Sequence, residues 1–224
     1  MSPKEYNFRS WTNALEKVPC FLIGNGPSLK DRDNLHILEG YFSIGTNRIF
    51  KIMDPTILMW QDLALWLQHS KDIMNLKAMK YCRRSSDQNK GGQDFYHFQM
   101  SGKSHQLPSS ANHLFGRGST GPLSFELAYI LGCDPIILVG MDCCYDGQYT
   151  DFYGKNPMHK THTLPACIKG LQWIKSVAGN KTIINCSLNN EFKNKMTLEE
   201  AIEKVGAPTV FGRDDLRTKI LGIK

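Results

Sequence analysis

The sequence lacks the features that mark several large classes of protein. Its 224 residues contain no apolar run long enough to span a bilayer, and residues 1–6 lack the basic and apolar blocks of a secretory signal. The seven cysteines are an odd number and none are spaced as zinc ligands, which argues against a structural zinc site. There is no internal repeat. We therefore expect a cytoplasmic protein without a membrane anchor of its own.

Two common nucleotide-binding signatures are also missing. The sequence has no G-x-G-x-x-G, and it has no P-loop because no Gly-Lys-Ser/Thr follows its glycine-rich turn. The net charge of +6 comes from 27 basic and 21 acidic side chains that are scattered rather than arranged in a stripe. That charge suits a phosphate-rich ligand but is well short of a dedicated nucleic-acid coat protein.

Short apolar runs alternate with helix-compatible stretches along most of the chain. The runs predict buried strands at residues 20–23, 41–44, 56–60, 135–139 and 181–185. Apolar residues at three- and four-residue steps predict helices at residues 63–75, 123–131 and 165–177. This alternation is typical of an α/β, Rossmann-like, mainly parallel sheet with helices on both faces. We expect a single domain over residues 1–224.

Residues 83–118 differ from the rest because they are rich in Ser, Gln, Gly, Asn, Lys and His. One loose basic cluster, Lys80, Arg83, Arg84 and Lys90, lies at the start of this segment. Long segments of this kind inside compact domains are usually functional or mobile. We interpret residues 83–118 as a lid or acceptor-binding insertion, with a plain flexible loop as the alternative. The basic cluster is either a solvated loop or a contact surface for an anionic acceptor.

A glycine-rich turn follows the first predicted strand. Gly24, Asn25 and Gly26 are followed by Pro27 and Ser28, which suit a turn and the first turn of a helix. Such a turn lets backbone N–H groups approach a phosphate, and the following helix start adds favourable potential. The sequence thus predicts a phosphate-binding turn here, and a tight turn without a ligand is the alternative.

A second polar turn precedes the apolar helix predicted at residues 123–131. Ser119, Thr120 and Gly121 gather hydroxyl and amide groups at that helix start. They predict either a second phosphate or sugar contact or simply a helix cap.

The third polar cluster follows the strand at residues 135–139. Gly140 and Asp142 come directly after this strand, and three tyrosines follow, Tyr145, Tyr149 and Tyr153. Ligands of open α/β sheets bind beyond the carboxyl ends of strands, so these residues are placed to meet one. The alternative is that the tyrosine rings only pack the loop. His159 and His162 lie in the next polar stretch, where a histidine is either structural or able to exchange protons near neutral pH.

The motifs Gly24-Asn25-Gly26-Pro27-Ser28-Leu29, Thr46-Asn47, Ser119-Thr120-Gly121 and Leu138-Val139-Gly140-Met141-Asp142 occur in an order that resembles the MptE-like superfamily. That superfamily is similar to the bacterial lipooligosaccharide sialyltransferases of glycosyltransferase family 42. The resemblance covers most of the chain apart from residues 83–118 and the C-terminal end. It implies that Asn25 and Asn47 bind the CMP part of a donor, together with the turn at Ser119, Thr120 and Gly121.

The same resemblance implies roles for later residues. Tyr145 and Tyr149 match two tyrosines that bind the donor phosphate, and Tyr153 is a substitute for either. His162 lies six residues before Ile168, at the place of the catalytic histidine, so it is expected to act as general base. Asp62 resembles an aspartate that many members carry after their third strand. If Asp62 binds Mg²⁺, the chemistry shifts toward diphosphate transfer.

Three hypotheses follow. The first is a glycosyltransferase that needs no cofactor and moves a sugar from a CMP-type nucleotide donor to an acceptor hydroxyl. The second is a 6-hydroxymethylpterin diphosphokinase-like enzyme that uses ATP and Mg²⁺ near Asp62 or Asp142. The third is a nucleotide-binding protein without chemistry. The sequence leaves the acceptor open among a glycan, a lipid-linked sugar and a modified nucleic-acid base, and leaves the oligomeric state open, a homo-oligomer included.

Overall fold

The computed structural model describes residues 8–30, 33–86, 95–102, 106–115, 118–156, 163–189, 191–208, 216 and 218–220. Its strands are β1 Cys20–Ile23, β2 Ser43–Thr46, β3 Ile57–Trp60, β4 Met79–Arg83, β5 Phe95–Ser101, β6 His113–Phe115, β7 Ile136–Val139 and β8 Ile183–Cys186. Its α-helices are α1 Leu63–Asn75, α2 Thr120–Ile130, α3 Thr163–Val177 and α4 Leu198–Val205.

The strands form one sheet in the order β6-β5-β4-β3-β2-β1-β7-β8. Every pairing between neighbouring strands is parallel. The carboxyl ends of the strands therefore lie along one edge, which we call the carboxyl edge. β1 is central because it pairs with β2 on one side and with β7 on the other.

Apolar side chains cover both faces of the sheet, as the parallel arrangement requires. Leu22 of β1 belongs to a buried cluster that includes α2 and α3. Its neighbours Phe21 and Ile23 belong to a second cluster that includes α1 and α4. Because side chains alternate along a strand, the two clusters lie on opposite faces. The predicted Rossmann-like α/β fold, with helices on both faces, is confirmed.

The predicted elements agree with the structure to different degrees. β1 and α1 have the predicted bounds, whereas β2, β3, β7, β8, α2 and α3 begin or end one to three residues away from them. Three strands and one helix were not predicted, namely β4, β5, β6 and α4. No helix in the described ranges is long and apolar enough to cross a membrane.

The segment at residues 83–118 extends the sheet. Residues 95–101 and 113–115 are parallel strands that continue it beyond β4, so the plain-loop alternative is wrong for these residues. Whether the segment covers a ligand stays a prediction. The basic cluster is also divided: Lys80 is 5% exposed and donates to the Leu76 carbonyl oxygen at 2.6 Å, whereas Arg83 and Arg84 are exposed. Lys90 lies outside the described residues.

Candidate functional site

The strand order reverses direction at the middle of the carboxyl edge. From β1 the chain proceeds to β2 and onward to β6 on one side, and then α2 returns it to β7 on the other side of β1. Ligands of open α/β sheets bind at such a switch point, beyond the carboxyl ends of the strands. α2 packs against β1, β2 and β3, so its first turn approaches this point.

The two glycines of the first turn contact the turn after β7. The N–H groups of Gly24 and Gly26 donate at 2.8 Å to the carbonyl oxygens of Val139 and Gly140. A Cβ on Gly24 would lie 2.3 Å from the Gly140 oxygen, and one on Gly26 would lie 2.2 Å from Asp142 Oδ2. Neighbouring backbone already accepts from these two N–H groups, and their predicted contact with a phosphate stays a prediction. The glycines are required by close packing between two turns.

The Asp142 side chain connects three segments by hydrogen bonds. Its side chain accepts from Ser28 N at 2.8 Å, from Ser28 Oγ at 2.9 Å and from Leu188 N at 2.8 Å. The residue is 2% exposed. A buried carboxylate with three donors is stabilised by the protein itself. In this structure Asp142 and Ser28 hold the turns after β1, β7 and β8 in place, and a direct contact of either with a ligand stays a prediction.

Two polar residues after β8 strengthen this arrangement. Ser187 Oγ accepts from Met141 N at 2.9 Å and donates to the Leu138 carbonyl oxygen at 3.1 Å. Asn189 Nδ2 donates to the Met141 carbonyl oxygen at 2.9 Å. Sequence reasoning missed both residues, since nothing in the sequence indicates that β8 lies beside β7.

Asn25 ties the β1 turn to the β2 turn. Its Nδ2 donates to the Thr46 carbonyl oxygen at 2.7 Å and to Thr46 Oγ1 at 3.1 Å, and its Oδ1 accepts from Arg48 N at 3.0 Å. Both amide hydrogens are thus engaged within the protein, and one acceptor site remains. The predicted contact of Asn25 with a nucleotide can use only that acceptor or the backbone.

Asn47 and Thr120 bring the second asparagine to the start of α2. Thr120 Oγ1 donates to Asn47 Oδ1 at 3.2 Å. Asn47 has φ +50°, a left-handed conformation that asparagine tolerates better than most residues. The contact leaves the Asn47 amide nitrogen available as a donor. Two residues that the sequence placed in separate motifs, 73 positions apart, therefore meet at the switch point.

The segment after β7 folds over the first turn. Phe152 N donates to the Asn25 carbonyl oxygen at 2.8 Å. This contact places Tyr153 beside Arg48, whose guanidinium carbon is 4.9 Å from the centre of the tyrosine ring. Tyr149 is close to Lys30, whose Nζ is 4.0 Å from its ring centre. Arg48 and Tyr153 thus lie beside Asn25, and Lys30 with Tyr149 forms a second cation–ring pair. We call the region of these residues, with Asn47 and the start of α2, the crevice.

Burial raises the pKa of Tyr153, and the charge of Asp151 raises it further, while Arg48 opposes the shift. The Tyr153 hydroxyl therefore keeps its proton at neutral pH and accepts from Asn156 Nδ2 at 2.9 Å. A hydrogen bond with Asp151 also raises the pKa, so a contact of this hydroxyl with a donor phosphate stays a prediction. Tyr145 is different because it is 60% exposed, and its predicted phosphate contact stays a prediction.

The start of α3 lies against the start of α2. A Cβ on Gly170 would be 2.5 Å from Pro122 Cγ, and one on Gly118 would be 3.3 Å from Ala166 Cβ. A hydrogen bond from Cys143 to Cys167 lowers the pKa of the Cys167 thiol. His162 and His159 lie outside the described residues, but α3 begins at Thr163, the residue after His162.

Asp62 follows β3 on the same carboxyl edge, directly before α1. Partial burial raises the pKa of its carboxyl group, and the nearby charge of Arg83 opposes the shift. Within the described residues, no group of three or more His, Cys, Asp or Glu side chains is arranged to hold a metal ion. Magnesium binding at Asp62 stays a prediction that rests on this one carboxylate.

The sequence profile of one protein family matches residues 2–148, about two thirds of the chain. That family is described as 6-hydroxymethylpterin diphosphokinase MptE-like. The chain belongs to the MptE-like family. The matched residues include β1 to β7 and therefore the crevice turns after β1 and β2. No curated protein sequence matches the chain.

One solved structure shares the fold of this MptE-like protein. The Maf glycosyltransferase from Magnetospirillum magneticum AMB-1 superposes with a TM-score of 0.61 and 12% sequence identity over 93% of this chain. The chain spans only 37% of the length of that protein. The sialyltransferase CstII from Campylobacter jejuni, in complex with cytidine-5'-monophosphate, gives a TM-score of 0.46 and 12% identity, covering 84% of this chain and 97% of that chain.

Sequence reasoning missed the two cations at the crevice of this MptE-like protein. Lys30 and Arg48 each directly follow a motif, and neither belongs to the basic cluster that the sequence singles out. The usable signal was their position, because each follows a turn at the carboxyl end of a central strand.

Proposed function

We propose that this MptE-like protein transfers a sugar from a nucleotide-activated donor of the CMP-sugar type to an acceptor hydroxyl. The observation that carries the proposal is the pairing of Lys30 with Tyr149 and of Arg48 with Tyr153 in the crevice. These side chains offer two positive charges and two hydroxyl groups at the switch point of the sheet. The fold that this chain shares with a glycosyltransferase is consistent with the proposal.

The donor phosphate would bind between the two cations. Arginine and lysine form charge-assisted hydrogen bonds with phosphate oxygens, and the first turn of α2 adds N–H groups and a favourable helix potential. Asn47, Ser119, Thr120 and Gly121 would contact the nucleoside or its ribose. Met141 lies beneath this turn, since a Cβ on Gly121 would be 3.0 Å from its sulfur.

The reaction is one displacement at the anomeric carbon. The acceptor oxygen forms a bond with that carbon while the bond from the carbon to the phosphate oxygen breaks. The departing nucleotide keeps the electron pair, and its developing charge is stabilised by Arg48, Lys30 and the tyrosine hydroxyls. His162 takes the proton of the acceptor hydroxyl as general base. Its imidazole needs to be neutral for this step, so transfer is expected to fall at acidic pH.

The test measures release of CMP from a CMP-sugar by the full chain, with and without acceptor mixtures. His162→Ala is expected to lower turnover by about 10²- to 10⁴-fold, the usual contribution of general acid–base catalysis, with nucleotide affinity retained. His159→Ala is the matched control because it removes a histidine from the same stretch. Equal turnover in His162→Ala and wild type would refute the assigned base, and a chain that binds the donor but never turns it over would be a binding protein.

A second candidate is diphosphate transfer from ATP to a pterin alcohol. The family profile favours it, because the family is described by that activity. Asp62 would then hold Mg²⁺ at the end of β3, and the crevice cations would bind the β- and γ-phosphates. Release of AMP from ATP in the presence of 6-hydroxymethylpterin, abolished in Asp62→Asn but not in Asp146→Asn, would establish this activity instead.

A further inference from the structure

A cavity of about 270 Å³ opens at the carboxyl edge away from the crevice. It is lined by residues from the ends of β4 and β5, namely Arg83, Arg84, Ser85, Phe98, Gln99 and Met100. The register of the two strands sets Arg83 opposite Phe98, so a charged end and an apolar end meet at the same place. The cavity therefore combines two exposed arginines with the partly buried thioether of Met100, whereas the ring of Phe98 is fully buried in the core beneath it.

Two positively charged side chains line this cavity. Arg83 and Arg84 are consecutive and both are exposed, and no described carboxylate forms an ion pair with Arg84. The Asp62 carboxylate is near enough to Arg83 for the charge of Arg83 to oppose the rise that burial causes in the Asp62 pKa. Adjacent arginines at a concave surface favour bidentate hydrogen bonds with carboxylate or phosphate oxygens.

The cavity is too far from the crevice to hold the same small ligand. Neighbouring strands lie about 4.8 Å apart, so β4 and β5 are roughly 15–20 Å from β1 along the edge. Both sites open on the same edge because every strand of the sheet is parallel. One extended molecule could occupy the cavity with one end and present a hydroxyl group to the crevice with the other.

We propose that this cavity is an acceptor subsite, in which Arg83 and Arg84 bind an anionic group of an extended acceptor while Met100 packs against its apolar neighbour. The proposal rests on the sugar transfer proposed above. The anionic group is either the carboxylate of an acidic glycan or the phosphate of a lipid-linked acceptor. In both cases a neutral acceptor of the same length would bind more weakly.

Methionine methyl groups allow a direct test in the full chain. With ¹³C-methyl methionine, Met100 reports the cavity and Met141 reports the crevice, each assigned by its Met→Leu variant. The anionic probes are a uronic-acid-containing tetrasaccharide and farnesyl phosphate, and the neutral probes are a neutral tetrasaccharide and farnesol. CMP is titrated separately, so that failure of the donor site is seen at Met141 and failure of the acceptor subsite at Met100.

We expect at least one anionic probe to shift Met100 in a saturable manner, and the responding probe identifies the source of the anion. Arg83→Ala/Arg84→Ala should weaken that binding about tenfold or more, as expected from loss of charged hydrogen bonds. Lys71→Ala/Lys204→Ala, which removes the same charge from α1 and α4, should leave it unchanged. The proposal is overturned if Met100 ignores both anionic probes, responds equally to neutral ones, or responds equally in the double arginine variant.

Discussion

The two halves of the carboxyl edge use polar residues in opposite ways. Around β1, β7 and β8, polar groups are buried and bonded to one another, as Asp142 is to Ser28 and Leu188 N. Around β4 and β5 they are exposed, as Arg83 and Arg84 are. We call these the tied half and the open half. The crevice lies where they meet.

This difference separates positioning from binding. Residues of the tied half look like ligand-binding residues in the sequence, yet in the structure they hold the turns in fixed geometry. We expect the cations and the hydroxyl at the boundary, Arg48, Lys30 and Tyr153, to meet the ligand. A substitution in the tied half should therefore reduce stability, whereas one at the boundary should reduce affinity at nearly constant stability.

The largest expected effect is that of Asp142→Ala. Removing the carboxylate leaves three donors without their acceptor, which should lower the free energy of unfolding by about 3 kcal/mol or more. Urea unfolding followed by tryptophan fluorescence measures it. Asp146→Ala is the control, since Asp146 is exposed four residues away. Wild-type stability in Asp142→Ala together with lost nucleotide affinity would show that Asp142 binds the ligand and does not hold the turns in place.

Arg48→Ala should give the opposite result. Loss of a charged hydrogen-bond donor to phosphate is expected to weaken nucleotide binding about tenfold or more, with unfolding free energy changed by less than about 1 kcal/mol. Calorimetric titration of the full chain measures the affinity. Lys51→Ala, an exposed cation on the same short helical turn, should bind like wild type. Equal losses of nucleotide affinity in the two variants would show that only the overall positive charge matters, and not a specific contact of Arg48 with the phosphate.

Tyr153→Phe should have a smaller effect. It removes only the hydroxyl, and losing one such hydrogen bond is expected to cost about 0.5–1 kcal/mol of transition-state stabilisation. Turnover should fall while the Arg48 contact with the ring persists. Tyr145→Phe tests the contrast, because the Tyr145 ring is 60% exposed and we expect its hydroxyl not to affect turnover. A larger loss for Tyr145→Phe would show that the loop closes differently when donor is bound.

The smallest expected effect concerns His69 of α1 and the way the stability of the protein depends on pH. Burial lowers the pKa of His69, and the charges of Lys51 and Arg48 lower it further. No described residue bonds to its buried Nε2. Because the folded pKa lies below the ordinary value of 6.5, the stabilisation is full above pH 6.5 and is lost as pH falls through the folded pKa. His69→Gln should therefore lose less stability than wild type between pH 7 and pH 5.

The core of the fold could be predicted because its signals are local. β1 is a continuous apolar run before a glycine, and α1 repeats apolar residues with helical spacing. β4 was missed because Lys80 interrupts its apolar run. In the structure the Lys80 ammonium group donates to the Leu76 carbonyl oxygen. α4 was missed although Thr197 and Glu200 form a capping box that the sequence displays.

The candidate site could be predicted only in part. The polar turns meet as expected from a parallel sheet, and Asn47 contacts Thr120. The function of the glycines could not be foreseen, because Gly26 is required by Asp142 and that contact depends on β7 lying beside β1. A chain position does not reveal which strands become neighbours across a switch point.

Thermal unfolding of the full chain with CMP, UDP, GDP, ADP and ATP, each with and without Mg²⁺, shows most directly whether the crevice binds the nucleotide of a sugar donor. A ligand that binds only the folded chain raises its apparent melting temperature. We expect CMP or UDP to raise the apparent melting temperature without Mg²⁺, and Arg48→Ala to abolish most of that shift. A response to ATP alone that requires Mg²⁺ would contradict sugar transfer and favour diphosphate transfer, and no response to any nucleotide would contradict the site itself.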